Sequence, residues 1–474
     1  MSIEAAAGDE PRSIFSGPVR PTSVGLLILI TLIAFEAMAV SAALPTAARE
    51  LHGLGSYGWA FTGFLVANVV GMVASGQVSD NRGPGYPLVA GLACFLTGLI
   101  LAGTAATMEQ LVAGRFVQGL GGGLMITAVY VAIGQAYPER LQPPLFAAIS
   151  SAWVVPSLVG PLVSGLLAQH ASWRWVFLGL VPFTILGGIL MLPALRTLHR
   201  PERTGNGADP RRLLKAVAVA AGVAALEAAG QHPTVILLAL AAAGLVAMVW
   251  GLRTLLPAGT IRARPGVAAP VALRGLLAGA FFGVEALVPL SLTVQHGFSP
   301  TAAGLPLAAS GVSWALGSWW QGRAVADDGP QRRIRLMRTG FALIGVATAG
   351  IAVAALPAAS GWIAYPAWFV AGLGAGLTMS SVSVLLLRYT TGATRGTDSA
   401  ALQLSDATAA ALTTGIGGVL VAAAARGSIG TTAAFVTVDL TMCAIATLGV
   451  LAAGRAHPAE RAQTADHAVA VGTL

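Results

Sequence analysis

The stretch "LLILITLIAFEAMAVSAALP" (residues 26–45) carries a single charged side chain, Glu36, in an otherwise apolar run. A helix rises about 1.5 Å per residue, so as a membrane span this stretch sets Glu36 roughly 15 Å into a hydrocarbon core about 30 Å thick. A carboxylate at that depth is costly and is kept where it is paired or where it works. The rest of the chain repeats the apolar pattern and so decides the class of fold.

Hydrophobic residues make up 55% of the 474 positions and charged ones 10%, with a mean hydropathy of +0.76. Soluble domains run near 25% charged. Apolar segments stand near 22–45, 58–79, 86–105, 110–134, 143–168, 174–195, 212–230, 233–252, 271–294, 300–321, 334–356, 362–387, 399–425 and 430–453, which predicts fourteen transmembrane helices. The polar segment 196–211 and the basic linker 253–266 divide them six, two and six. This reads as an all-α polytopic membrane protein: a tail (1–21), a six-helix bundle (22–195), linkers with two inserted helices (196–266), a second six-helix bundle (267–454) and a tail (455–474). Two bundles around a central break predict a substrate cavity between them near the midplane.

The +8 net charge is a topology signal, and no nucleic-acid partner is implied. With the N-terminus placed inside, the loops and tails on that side hold 22 of the 27 Lys and Arg residues, while the other side holds Arg49, Arg174 and Arg426. That bias predicts a multi-pass protein with both termini cytoplasmic. Residues 1–21 include Glu4, Asp9 and Glu10 and no apolar core, so they do not read as a cleavable signal peptide. Arg outnumbers Lys 26 to one, a bias that suggests a bacterial inner membrane. Cys94 and Cys443 both fall in apolar stretches and the seven His residues in loops, tails or helix ends, so neither a disulfide framework nor a metal or cofactor site is expected.

Three motifs carry chemistry. "RFVQGLGGG" (115–123) places Arg115, Gln118, Gly119 and Gly122 on one helix face. A guanidinium at membrane depth needs a carboxylate, carbonyls or a wet cavity. "PSLVGPLVSG" (156–165) sets Pro156, Gly160 and Ser164 on one stripe, with Pro161 and Gly165 beside it, and predicts a bend in close contact with a neighbour. "GQVSDNRGPG" (76–85) puts Gly76 at a helix end and Asp80 and Arg82 in a tight turn closed by Gly83, where a carboxylate could make a contact in one conformation and break it in another. A weak internal repeat pairs this loop with "GRAVADDGPQ" (322–331), and Glu36 with Glu285 in "FFGVEALVP".

These motifs resemble those of the major facilitator superfamily, in particular its fourteen-helix drug:proton antiporter branch. "GQVSDNRGPG" is similar to the loop after the second helix, "LVAGRFVQGLGGG" to the fourth-helix motif and "PSLVGPLVSG" to the antiporter motif of the fifth. "FEAMAVSAALP" and "SWRWVF" (172–177) also fit. The likeness is good over residues 22–195 and rests on helix count beyond. Pro84 and Gly85 stand where basic residues are usual, and Pro156 replaces a glycine. The resemblance implies a monomeric exporter in a lipid bilayer that binds a small molecule and protons, needs no cofactor and is no enzyme. Arg115 would assist proton movement, Gly160 and Pro161 would shape the antiporter helix, and Asp80 would switch the latch.

Five acids lie at membrane depth: Glu36, Glu227, Glu285, Asp406 and Asp439. Proton coupling is expected of Glu36 first, then Asp406 and Glu285, with Arg115. Glu227, in an inserted helix, and Asp439 rank below them. Glu36, Gln118, Trp153, Phe282 and Glu285 are expected to line the cavity. The function expected is proton-coupled efflux of lipophilic compounds, cationic ones among them, by alternating access. The alternative is a nutrient uptake carrier on the same fold. A membrane-embedded enzyme or sensor would want His, Asp and Cys clusters or a sizeable soluble domain, and the chain offers neither.

Overall fold

The computed structural model describes residues 13–137, 154–197, 210–231, 234–324, 330–390 and 395–456, with Leu141, Leu145, Ala148 and Ala152 as isolated points. All regular structure among them is helical. The first bundle comprises α1 (Arg20–Glu50), α2 (Trp59–Arg82), α3 (Gly85–Gly103), α4 (Met108–Ala136), α5 (Val154–His170), α6 (Trp175–Leu178) and α7 (Val181–Thr197). The inserted pair is α8 (Pro210–Gln231) and α9 (Val235–Leu255). The second bundle comprises α10 (Ala268–Glu285), α11 (Val288–His296), α12 (Pro300–Ala324), α13 (Pro330–Ala354), α14 (Ala364–Tyr389), α15 (Arg395–Ala425) and α16 (Thr431–Ala453). Helices α6 and α7 form one rod, as do α10 and α11, so the described helices make fourteen rods. Eleven spans are apolar and long enough to cross a bilayer on length and composition alone.

The two bundles share one packing plan. In the first, α2 and α3 lie on α4, and α1 lies on α5 and α7. In the second, α12 and α13 lie on α14, and α10 lies on α15 and α16. Lipid supplies no hydrophobic force between helices, so close backbone approach does that work. A Cβ on Gly119 would lie 2.1 Å from the Phe64 carbonyl oxygen, and one on Gly123 would lie 2.1 Å from that of Asn68, which seats α4 directly on α2. Gly372 and Gly376 do the same for α14 on α12, against the carbonyls of Ser310 and Trp314.

Several boundaries differ from the sequence expectation for physical reasons. Helix α1 runs on to Glu50 with Pro45 buried inside it, because a spanning helix can re-satisfy the groups a proline frees. Helix α2 continues through Arg82, so Asp80 and Arg82 belong to its last turn and Gly76 lies within the helix rather than at its end. The turn itself begins at Gly83, whose φ of 83° suits glycine and whose amide reaches the Ser79 carbonyl at 2.9 Å. The span expected at 271–294 is broken at Ala286–Leu287, with proline at the start of α11. Much of the 143–153 part of the fifth span, and 325–329 of the second loop motif, lie outside the described residues.

Among the described residues the basic side chains of the helix ends and short linkers gather at one end of the bundle, the basic end, and the bundles touch each other towards the opposite, far end. A Cβ on Gly165 of α5 would meet Thr301 Cα at 2.8 Å and Pro300 O at 2.9 Å, and the Thr301 hydroxyl donates to Gln169 Oε1 at 2.7 Å. Gly58, the N-cap of α2, sits against Gly418 of α15, where a Cβ would be 2.4 Å from the partner's Cα. The Tyr57 hydroxyl donates to the Ala286 carbonyl at 2.8 Å. The inserted pair closes on itself at Gly222 and Gly244, and α8 then packs on both α2 and α15, one helix from each bundle. Val219, Ala220, Val223 and Met248 form a small core there with Val66 and Ala411.

If the glycine seam holds α4 on α2, Gly123→Ala destabilises the purified protein by about 1–3 kcal/mol through overpacking, read as a lowered melting temperature in detergent. Gly55→Ala, with nothing within 4 Å of its Cβ, leaves the melt unchanged within error.

Candidate functional site

Glu36 is fully buried and forms an ion pair with Arg115, which is 3% exposed. Three helices build the pair. The Arg115 Nη1 also donates to Gln118 Oε1 at 2.9 Å, its Nε donates to the Ala60 carbonyl of α2 at 3.0 Å, and its guanidinium lies over the Phe64 ring at 4.3 Å. Gly119 and Gly122 lie against Phe64 and Asn68, so the small residues of the motif bring α2 near enough for Arg115 to reach it. Gln118 also lies within reach of the Glu36 carboxyl, so carboxylate, guanidinium and amide form one buried cluster. A guanidinium ringed by carboxylate, amide, carbonyl and aromatic face is compensated, and that balance depends on the carboxyl keeping its charge.

Helix α5 connects this pair to the other bundle. Gly160 faces α1 at Phe35, Met38 and Ala39, on either side of Glu36, and the Ser164 hydroxyl donates to the Ala39 carbonyl. The adjoining stripe faces α12: a Cβ on Gly304 would meet the Pro161 carbonyl oxygen at 3.0 Å, and Gly165 lies on Pro300 and Thr301. Pro156 is buried one turn before Gly160. One motif thus touches the acid's own helix and the opposite bundle.

A second ion pair joins α10 to α15. Arg274 Nη2 donates to Asp406 Oδ2 at 2.9 Å, and both side chains are partly screened from solvent, at 10% and 25% exposure. Tyr130 of α4, in the first bundle, lies close enough to Arg274 to feel its charge. The sequence signal that links them is two opposite charges, each some two to three turns in from the basic end of its helix.

Glu285 closes α10 at the helix break and is 7% exposed, and no ion pair reaches it among the described residues. One turn earlier stands an aromatic group. Phe281 stacks on Trp368 at 4.9 Å and meets Trp314 edge-on at 5.2 Å, while the half-buried Phe282 lies 6.4 Å from Trp314. Trp368 is fully buried, and its Nε1 has no partner among the described residues. Superposing "GLGGGL" (119–124) on "GLGAGL" (372–377) puts Trp368 at the place of Arg115. Where the first bundle has an acid and a guanidinium, the second has an acid and an indole.

The remaining candidates separate from this core. Gly76 has open space at its Cβ position, Arg82 is exposed, and of Asp80 only the helical backbone is described. Trp153 lies outside the described residues. Trp319 and Trp320 are about half exposed, further towards the end of α12 than the aromatic group's Trp314. Asp439 is 4% exposed in α16, and Glu227 is 2% exposed in α8. Among the described residues no group of three His, Cys, Asp or Glu side chains could hold a metal ion.

Comparison with known proteins agrees with this architecture. An uncharacterized MFS-type transporter of Mycobacterium tuberculosis is 27% identical over 411 residues, which is 82% of this chain and 58% of the relative. The multidrug efflux pump SdrM of Staphylococcus aureus is 27% identical over 181 residues, 38% of this chain and 40% of the pump. An MFS efflux transporter of Aspergillus oryzae is 32% identical over 164 residues, 35% of this chain and 30% of the relative. The chain thus matches well under two thirds of each relative's length. Among solved structures, a POT family transporter in complex with a thioalcohol-conjugated peptide matches with a TM-score of 0.69 at 15% identity, covering 93% of this chain and 97% of that one. The nucleoside transporter NupG matches with a TM-score of 0.61 at 14% identity, covering 91% and 98%. At these identities the structures speak for the fold alone. The family model of the Major Facilitator Superfamily matches residues 26–414, and the chain, a multi-pass membrane transporter rather than an enzyme, belongs to that family.

Proposed function

We propose that this protein exports lipophilic compounds, cationic ones among them, in exchange for protons, and that Glu36 is the principal coupling site. The observation that carries this reading is the buried Glu36–Arg115 pair with Gln118 beside it. The relatives named as efflux proteins support the direction of transport. The basic residues at one end support a cytoplasmic location for that end and an outer location for the far end.

A proton arriving on Glu36 removes the charge that holds Arg115. The guanidinium keeps Gln118 and the Ala60 carbonyl, so it has somewhere to rest while the carboxyl turns away. A cationic substrate and a proton compete for the same carboxylate, so loading one expels the other. Helix α5 passes the change on, since Gly160 sits on α1 around Glu36 while Pro161 and Gly165 sit on α12. The two bundles then rock about the central site. In the second bundle, Glu285 and the half-buried Phe282 offer a lipophilic cation an acid beside an aromatic face. The Arg274–Asp406 pair, facing α4 across the gap, serves as the second coupling element. Arg82 and the Gly83 turn, with Asp80, act as the cytoplasmic latch. The protein works as a monomer with no cofactor, driven by the proton gradient of a bacterial inner membrane.

In inverted membrane vesicles carrying Glu36→Gln, gradient-driven uptake of a fluorescent lipophilic cation drops at least about tenfold, equivalent to about 1.4 kcal/mol in the barrier, while exchange of labelled for unlabelled substrate without a gradient persists. Gradient-driven transport at the unmodified rate in that variant would remove Glu36 from the coupling. For the second pair, Arg274→Asp and Asp406→Arg each abolish transport, and the two together restore part of it because the swapped charges meet again. A double variant as inactive as either single one argues against a role through pairing.

A further inference from the structure

The inserted pair α8–α9 has no place in the rocking of two bundles, yet it buries an acid at their meeting point. Glu227 of α8 lies where the backbones of α2 and α15 are closest. A Cβ on Gly58 would meet its Oε1 at 2.8 Å, and one on Gly418 would meet it at 3.0 Å. That same oxygen accepts from Gln231 Nε2 at 3.2 Å, and Gln231 Oε1 in turn accepts from the Trp59 indole at 2.8 Å. Its other oxygen, Oε2, faces Thr62 across Gly415: a Cβ on Gly415 would lie 3.5 Å from Oε2 and 3.6 Å from the Thr62 hydroxyl. Oε2 and the Thr62 hydroxyl are both buried and lie within reach of one another.

The Thr62 hydroxyl carries its own hydrogen and can donate to Oε2, so it can partner either form of Glu227, but it cannot neutralise a charge there. A carboxylic acid is neutral in this seam and shares a hydrogen bond with the Thr62 hydroxyl, whereas a carboxylate there would be a buried charge with no counterion among the described residues. The surrounding ionisable groups offer no substitute. The Tyr57 hydroxyl is committed to the Ala286 carbonyl. Arg426, past the end of α15, reaches the Gly230 carbonyl at 3.5 Å. Glu285, beside Ala286 in the chain, is a further acid. The facing stretches Val235–Gly251 of α9 and Gly415–Ala425 of α15 hold no ionisable side chain, Lys215, Arg211 and Arg212 lie at the other end of α8, and His232 lies outside the described residues.

We propose that Glu227 is a proton-operated fastener of the far-side gate, a positioning residue through which the inserted helix pair pins α2 of one bundle to α15 of the other. Carrying its proton, it ties α8 to Thr62 and completes the glycine seam at Gly58 and Gly418. Losing the proton to the far-side solution leaves a bare carboxylate in the seam, which parts to hydrate it. The hairpin thereby makes closure of the outer face sensitive to the acidity of the solution on that side. This goes beyond the exporter reading, and its readout is a distance rather than transport.

The test uses the full chain in lipid nanodiscs, with Cys94 and Cys443 replaced and spin labels at Ser56→Cys and Ser428→Cys, one at the outer end of each seam helix. Pulsed electron-spin distance measurements are made between about pH 5 and about pH 9, a range in which buried Glu side chains titrate. The unmodified seam gives a short distance at low pH and a growing long-distance population as pH rises. Glu227→Gln, which keeps the hydrogen bonds and cannot ionise, stays short throughout. Glu227→Ala and Thr62→Val favour the long distance at every pH. The proposal is overturned if Glu227→Gln follows the unmodified protein, if pH leaves that protein's distances fixed, or if Glu36→Gln alone abolishes the response.

Discussion

A span with no water around it obliges every charge to find its partner inside the protein, and the Glu36–Arg115 pair is where this chain meets that constraint. Its geometry sets the first bundle. Arg115 must touch α1 through Glu36 and α2 through the Ala60 carbonyl and the Phe64 ring at once. Three helices can converge so closely only where side chains are missing, and Gly119 and Gly122 supply that absence on α4. The glycine row and the buried charge are therefore one feature: the first permits the approach, the second makes it worth holding.

The second bundle repeats the packing and changes the chemistry. Its fourth helix keeps the glycines, at Gly372, Gly374 and Gly376, and places an indole where the first bundle has a guanidinium. The compensating basic group appears elsewhere, as Arg274 on the first helix facing Asp406 on the fifth. Duplicated scaffolds can diverge in this way because backbone packing and site chemistry rest on different positions. Small residues carry the first, and a few polar side chains on neighbouring turns carry the second.

The helices were legible in the sequence because hydropathy over some twenty residues is a strong one-dimensional signal, and the division six, two and six followed from two polar linkers. The face of α4 that holds Arg115, Gln118, Gly119 and Gly122 was equally plain from spacing. Pairings were not, since Glu36 with Arg115 spans 79 positions and Arg274 with Asp406 spans 132. Depth along a helix restricts such partners without choosing among five acids. The break after Glu285 escaped notice because proline in a membrane helix more often bends than interrupts it, as Pro45 and Pro161 show. Glu227 stands outside the two bundles in the sequence, and nothing in one dimension shows that α8 touches both of them.

The interruption at Ala286–Leu287 leaves the Ala286 carbonyl beyond the last residue of one helix and before the first acceptor of the next, so it is free to receive the Tyr57 hydroxyl. Here one bundle addresses the other through main chain. The acceptor belongs to the main chain and survives a change of side chain at position 286, although that side chain is itself buried, whereas loss of the Tyr57 hydroxyl removes the contact. The contact belongs to the shape of the backbone, and drift in sequence can pass over one of its two ends without erasing it.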